Sequence, residues 1–246
     1  MKRYRSKISC PTVFPQSKRR KDFFMLKYEL NYESDKGDRN LIKTLVKKGK
    51  ALAKAVHPAQ ANKSASLRSW KTIENNSISG LLAEYLWVDS LRAFDLECQT
   101  NNYEKAIHQI DITLKHNQKK IEVRSSFPKN GVKFALCHPQ HEFDILGPYS
   151  NSYKPGEIKK DFYVRTLFPY PSFQFLQHLE KDGFIACLTG GATWGMMMDK
   201  EISKQKDLIP QDDILELSLQ KSSTYQVVPI SRALDTFEML ELFKKP

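Results

Sequence analysis

The stretch from Ile107 to Phe127, IHQIDITLKHNQKKIEVRSSF, limits the fold more than any other, because it alternates twice with the period of a β-strand. Ile110, Ile112 and Leu114 fall on one side of the first alternation, and Gln109, Asp111 and Thr113 on the other. In the second, Ile121 and Val123 share one face while Glu122, Arg124 and Ser126 share the opposite one. His116-Asn117-Gln118 between them is polar and short enough for a hairpin turn. The spacing predicts that Asp111 stands opposite Glu122 with Arg124 two residues on. Two acids and a cation then share one face of a small sheet.

Charge is the next constraint, because it is unevenly placed. Of the 39 Lys and Arg and 28 Asp and Glu, residues 1–76 hold 19 and 6, a balance of +13, and residues 77–246 hold 20 and 22, a balance of −2. Clustered positive charge attracts a polyanion by releasing its condensed counterions, so nucleic acid is the leading expected partner. A solvated basic arm with no partner is the plainer alternative. The cations fall in two groups. Lys2, Arg3 and Arg5 with Lys18, Arg19, Arg20 and Lys21 mark residues 1–22 as an arm, and Lys43, Lys47, Lys50 and Lys54 recur at spacings of three or four. The second group lies on a predicted helix from about Arg39 to His57, capped by Asp38, ended by Pro58 and carrying Leu41, Ile42, Leu45, Val46, Leu52, Ala53 and Val56 as its apolar stripe. Such a lysine ridge suits a phosphate backbone, and equally an ordinary amphipathic surface helix. Arg19, Arg20 and the four ridge lysines are the candidate nucleic-acid contacts.

No run approaches the ~18 apolar residues of a membrane span, and the first residues do not lead into a signal-peptide core. Cys10, Cys98, Cys137 and Cys187 are scattered without C-x-x-C spacing, so no disulfide framework or zinc site is expected and a reducing cytoplasm fits best. Phe23 to Tyr32 reads as a strand or short helix, and residues 58–76 as a polar connection. A second helix is predicted from Ile78 to Phe94, capped by Ser77 or Ser79. Leu81, Leu82, Tyr85, Leu86, Trp87, Val88 and Leu91 cover most of its surface, so it is largely buried and Glu84 on it needs a partner, a metal or a cleft, or pairs with Arg92. Further on, Gly131–Cys137 and Asp161–Phe168 read as strands, Ser172–Lys181 as a short helix and Phe184–Thr189 as a buried strand ending in a tight turn at Gly190-Gly191. Residues 200–222 read as loop or partly helical, Tyr225–Ile230 as an edge strand and Arg232–Phe243 as a terminal helix.

From Ile78 onward the order is helix, strand, strand, strand, helix, strand. With Glu84 in SGLLAEYL, Asp111 in QID and Glu122-Val123-Arg124 in the second strand, residues 77–190 resemble the core of the PD-(D/E)XK nuclease superfamily, the restriction-endonuclease-like fold. The resemblance implies an α/β domain with a mixed central sheet flanked by helices, preceded by a basic helical extension at 1–76 and followed by a C-terminal extension at 191–246. Only residues 77–190 are covered by the resemblance, and the basic extension is read from charge. For activity, the resemblance implies a Mg2+-dependent endodeoxyribonuclease acting on double-stranded DNA, with Mn2+ able to substitute. A type II restriction enzyme working as a homodimer is favoured over a repair, recombination or transposition nuclease. From a different class comes a DNA-binding protein whose nuclease-like core is inactive.

Phosphodiester hydrolysis needs a nucleophilic water and stabilisation of charge on the scissile phosphate and leaving oxygen, and hard divalent cations held by carboxylates supply both. The resemblance assigns Asp111 and Glu122 as metal ligands, the Val123 carbonyl as a third, and Glu84 to a metal-bound water or second ion. Arg124 departs from the pattern, which usually has lysine there. Arginine stays charged and clamps phosphate but does not readily act as a base. Lys133 is the expected substitute from a neighbouring strand. Cys137, His138 and His141 lack a fourth ligand for zinc. Phe162, Tyr163, Phe168, Tyr170, Phe173 and Phe175 suit core packing better than base stacking.

Overall fold

Alternating apolar residues in the first half of the chain and in its centre meet in one sheet. The computed structural model describes residues 1–8, 23–55, 69–100, 111–127, 144–149, 159–208, 223–230 and 232–246. Lys2–Ile8 (β1) pairs antiparallel with Phe23–Leu30 (β2), so the first residues form an edge strand and not the arm that their charge suggested. Exposed cations are a common protection of a sheet edge, which in sequence is indistinguishable from a basic arm. The Arg5 guanidinium lies 3.7 Å from the centre of the Phe24 ring.

Two helices follow. Lys36–Ala55 (α1) starts earlier than the spacing predicts and is capped by Asp35, whose Oδ1 accepts the Asp38 N–H at 2.9 Å. Asp38 is instead buried and accepts the Asn31 N–H at 2.9 Å. Trp70–Ala93 (α2) begins eight residues before the expected Ile78, capped by Ser69, which accepts the Thr72 N–H at 3.1 Å. Its polar first turns are held by tertiary contact: Ile73 and Asn75 are buried, and Asn75 Nδ2 donates to the Ser172 carbonyl at 2.8 Å. The stretch that reads as a connection therefore supplies two turns of helix.

The remaining elements are Cys98–Thr100 (β3), Ile112–Leu114 (β4), Lys120–Ser126 (β5), Asp144–Tyr149 (β6), Phe162–Leu167 (β7), a 3-10 turn at Ser172–Gln174, Phe175–Leu179 (α3), Phe184–Thr193 (β8), Trp194–Met198 (α4), Lys204–Leu208 (β9), Ser223–Pro229 (β10) and Thr236–Phe243 (α5). Seven strands form a mixed sheet in the order β1-β2-β8-β7-β5-β4-β3, in which β5 and β7 run parallel and the other pairs antiparallel. A smaller sheet, β6-β10-β9, is antiparallel. β10 is its central strand, not an edge, and β9 takes Lys204–Leu208 of the stretch expected as loop or partly helical. The predicted strand Gly131–Cys137 lies outside the described residues.

Period-two alternation sorts the side chains into two cores. Tyr28, Leu30, Ile112, Ile121, Phe162, Val164, Phe184 and Leu188 face the helices and pack with Ile42, Trp87, Leu91 and Phe243. Phe23, Met25, Tyr163, Leu167, Cys187 and Ala192 face the other way, against Ile145 and Val228 of the small sheet. The fold is thus mixed α/β, with a mixed central sheet between helices and a second sheet. Of the six aromatic residues between 162 and 175, five are buried or half-buried and Phe173 is 54% exposed. Among the described residues, no helix is long and apolar enough to cross a membrane.

Gly190 and Gly191 do not make a turn. β8 continues through them to Thr193 while its register with β7 shifts between Val164 and Thr166. Gly190 has φ +77°, and a Cβ there would lie 2.1 Å from the Leu234 carbonyl oxygen. The glycines let residue 234 bridge to the strand, with Gly191 N–H donating to the Leu234 carbonyl at 2.9 Å.

Candidate active site

The hairpin of β4 and β5 builds the site. β4 and β5 pair with Ile112 opposite Ile121, a register that continued by one residue sets Asp111 opposite Glu122. Ile112 and Ile121 point into the helix-side core, so Asp111, Glu122 and Arg124 belong to the other face. Asp111 lies just before β4, and its Oδ2 accepts the Val123 N–H at 2.7 Å. A side chain thus takes a backbone donor that a longer strand would have used. This bond anchors the carboxylate against β5.

Glu122 is buried and has cations on both oxygens. Arg124 Nη2 lies 2.9 Å from Oε1, and Lys160 Nζ lies 2.9 Å from Oε2. Lys160 is fully buried, two residues ahead of β7, which runs parallel beside β5. The neighbouring Asp161 fixes this approach. Its Oδ2 accepts the Lys120 N–H at 2.8 Å, its N–H donates to the Lys120 carbonyl at 2.9 Å, and its carbonyl accepts the Trp194 N–H at 2.8 Å. Three strand ends are tied together at the residue after Lys160.

Asp111 and Glu84 hold their protons more tightly than ordinary carboxylates. Burial raises the Asp111 carboxyl to about 7, helped by the charge of Glu122 and opposed by the Val123 N–H, Arg124 and Lys160. Glu84, only 6% exposed on α2, is raised to about 9 by burial and then by Asp111, with Lys48 pulling it down. Glu84 is therefore within electrostatic reach of Asp111. Lys48, on α1, is the cation that pulls it down, and Arg92 does not figure among its influences.

Asp111, Glu122 and Arg124 are brought together as the spacing predicts, and Val123 contributes its N–H to the cluster. Glu84 approaches from the helix layer. Lys133, Arg19 and Arg20, with Cys137, His138 and His141, lie outside the described residues. Lys43, Lys47, Lys50 and Lys54 are exposed along one stripe of α1. At 100° per residue, that stripe is turned roughly 130° about the helix axis from Lys48, so the lysine that acts on Glu84 is not part of the ridge.

No protein-family model matches the chain. An uncharacterized protein, MJECS01, of Methanocaldococcus jannaschii is 26% identical over 252 aligned residues, which span 91% of this chain and 86% of the relative. No solved structure matches.

The residue that sequence reasoning missed is Lys160. β5 ends at Ser126 and β7 begins at Phe162, and nothing local in between reveals that the two strands are parallel neighbours. The available signal was weak: a lysine directly ahead of an apolar strand, in KKDFYVRTLF. Chemically, the cluster offers two carboxylates, one with a raised proton affinity, beside one ammonium and one guanidinium. Such a group suits a phosphate ester approached by water, with the cations meeting its negative charge.

Proposed function

We propose that the chain is a metal-dependent endonuclease that hydrolyses phosphodiester bonds of double-stranded DNA, with the centre at Asp111 and Glu122. The observation that carries this reading is the approach of Lys160 to Glu122 from the strand beside it. It offers an ammonium next to the acid pair, the group that Arg124 does not provide in its own position.

A divalent cation suits the residues present. Two carboxylates share one face, and burial, helped by the charge of Glu122, raises the Asp111 carboxyl to about 7, a penalty that a hard cation relieves. Asp111 and Glu122 would hold Mg2+, or Mn2+ in its place, with Val123 and Glu84 nearby. When bound, such an ion lowers the pKa of water and neutralises charge on the phosphate. The chain's own contributions are separable. Val123 N–H orients Asp111, Lys160 and Arg124 present positive charge to the phosphate, and Asp161 keeps Lys160 at the β5–β7 border. On α1, the exposed lysine stripe suits sequence-independent contact with the DNA backbone.

A restriction-type role as a homodimer, with two sites for two strands, is the form of this activity that we favour. A repair, recombination or transposition nuclease uses the same chemistry. One observation favours a second reading, a DNA-binding protein without cleavage: both Glu122 oxygens already have cation partners, as in a structural ion cluster. Incubation of the purified protein with plasmid and linear DNA, with Mg2+ or with chelator, separates the two. Metal-dependent fragments support the nuclease. Salt-sensitive retention of uncut DNA under all conditions supports the binding protein.

A further inference from the structure

Phe243, the last residue of α5, is fully buried where the elements that carry the site converge. Its ring centre lies 4.9 Å from that of Phe162, which opens β7 just after Lys160 and Asp161, and 6.3 Å from that of Trp87, one helical turn after Glu84 on α2. At its other end α5 hangs from β8, with the Thr236 hydroxyl donating to the Leu188 carbonyl at 2.6 Å. Beyond the helix the chain meets the turn between β4 and β5. Asn117 Nδ2 donates to the Lys245 carbonyl at 2.9 Å, and Lys119 Nζ donates to the same oxygen at 3.3 Å and to the Pro246 backbone oxygen at 2.7 Å. Asn117 also holds the turn itself, because its Oδ1 accepts the Lys119 N–H at 3.1 Å.

We propose that residues 243–246 form a clasp that sets the β4–β5 hairpin against α2 and β7, with Asn117 and Lys119 as positioning residues for Asp111 and Glu122. For its effect on cleavage the proposal rests on the nuclease reading; the clasp itself does not. The site is assembled from separate pieces of chain: Glu84 on α2, Asp111 and Glu122 on the hairpin, and Lys160 ahead of β7. The clasp touches α2, the hairpin and β7 together. Its grip matters most at the hairpin, because β4 and its neighbour β3 are three residues each and short strands bring few ladder bonds to fix them. A movement of the turn carries both acids. Lys119 stands shortly before Glu122 on the same strand, and Asp111 reaches β5 through the Val123 N–H at 2.7 Å. Asn117 and Lys119 hold backbone oxygens at the exposed surface, so their loss loosens the hairpin and leaves the buried contacts of Phe243 in place.

The test uses the full chain with Asn117→Asp and Lys119→Met combined, and Lys119→Arg as the conservative variant, each first checked for a cooperative melt. Asn117→Asp keeps the Oδ1 acceptor for the Lys119 N–H and removes the Nδ2 donor, and Lys119→Met removes the ammonium and keeps the length of the side chain. Amide hydrogen exchange is followed at Val123, whose N–H bonds Asp111, and at the buried Val164 on β7. Single-turnover cleavage of a plasmid is measured in Mg2+. In the double variant Val123 is expected to exchange about tenfold faster or more, with Val164 within about twofold of wild type. The cleavage rate falls about tenfold or more, because the acids are displaced. Lys119→Arg keeps a charged donor and stays within about threefold of wild type in both readouts. Equal acceleration at Val123 and Val164 reports general loosening and overturns the proposal, as does wild-type exchange at Val123. Faster exchange at Val123 with an unchanged cleavage rate overturns the positioning role. Faster exchange at Val123 alone, in a protein whose wild type cleaves nothing, supports the clasp and overturns the nuclease reading. If the double variant does not melt cooperatively, Lys119→Met alone decides.

Discussion

Lys160 Nζ lies 2.9 Å from Glu122 Oε2, joining two residues 38 positions apart where β5 and β7 run parallel. Lys160 is fully buried beside the Glu122 carboxylate. Glu122→Ala is expected to take a carboxylate away from a fully buried ammonium and to lower stability by about 3 to 5 kcal/mol. Lys160→Met in the same chain should recover much of that loss. Denaturant unfolding of the two single variants and the double variant measures the coupling, and additive effects would contradict the pairing.

Glu84 provides a pH test. Its folded-state proton affinity is raised from 4.5 to about 9, so between these values the folded chain keeps a proton that the unfolded chain releases. Stability from this group therefore falls as pH rises through that window. Glu84→Gln removes the dependence. In chelator, the variant's gain in melting temperature over wild type should be small at pH 5 and largest near pH 9. A gain that shrinks with pH would show that Glu84 is charged in the folded chain.

The lysine stripe of α1 predicts a salt effect. Replacing Lys43, Lys47, Lys50 and Lys54 by Gln should reduce the slope of log affinity for duplex DNA against log salt by up to ~3.6, at ~0.9 per phosphate contact. Melting should be unchanged, because all four are exposed. An unchanged slope would identify the ridge as an ordinary solvated face.

Gly190 tests the bulge. With φ +77° and the Leu234 carbonyl oxygen 2.1 Å from an added Cβ, Gly190→Ala must move the segment leading into α5. The expected loss is about 2 kcal/mol or more, read from thermal or denaturant unfolding. An unaffected transition would remove the case for close backbone approach there.

Local alternation was enough to place Asp111, Glu122 and Arg124 on one face, because a hairpin is decided by neighbours in sequence. α2 was legible in its apolar half and not in Trp70–Ser77, where burial of Asn75 against Ser172 outweighs polar composition. β1 was hidden because an exposed edge strand and a basic arm share the same residues. Lys160 was hidden for a different reason: its partner is set by parallel pairing across a long crossover, which no local period encodes. The roles given to these residues came from resemblance, and the geometry supplies their neighbours.

The central claim is tested most directly by cleavage. Wild type and Glu122→Gln, which keeps the shape of the side chain, are incubated with plasmid DNA in Mg2+ and in chelator, with duplex affinity measured alongside. Mg2+-dependent cutting by wild type is expected, with loss of cutting in Glu122→Gln and DNA affinity within about threefold of wild type. Equal cutting by the two proteins, or uncut DNA held equally by both in Mg2+, would contradict it.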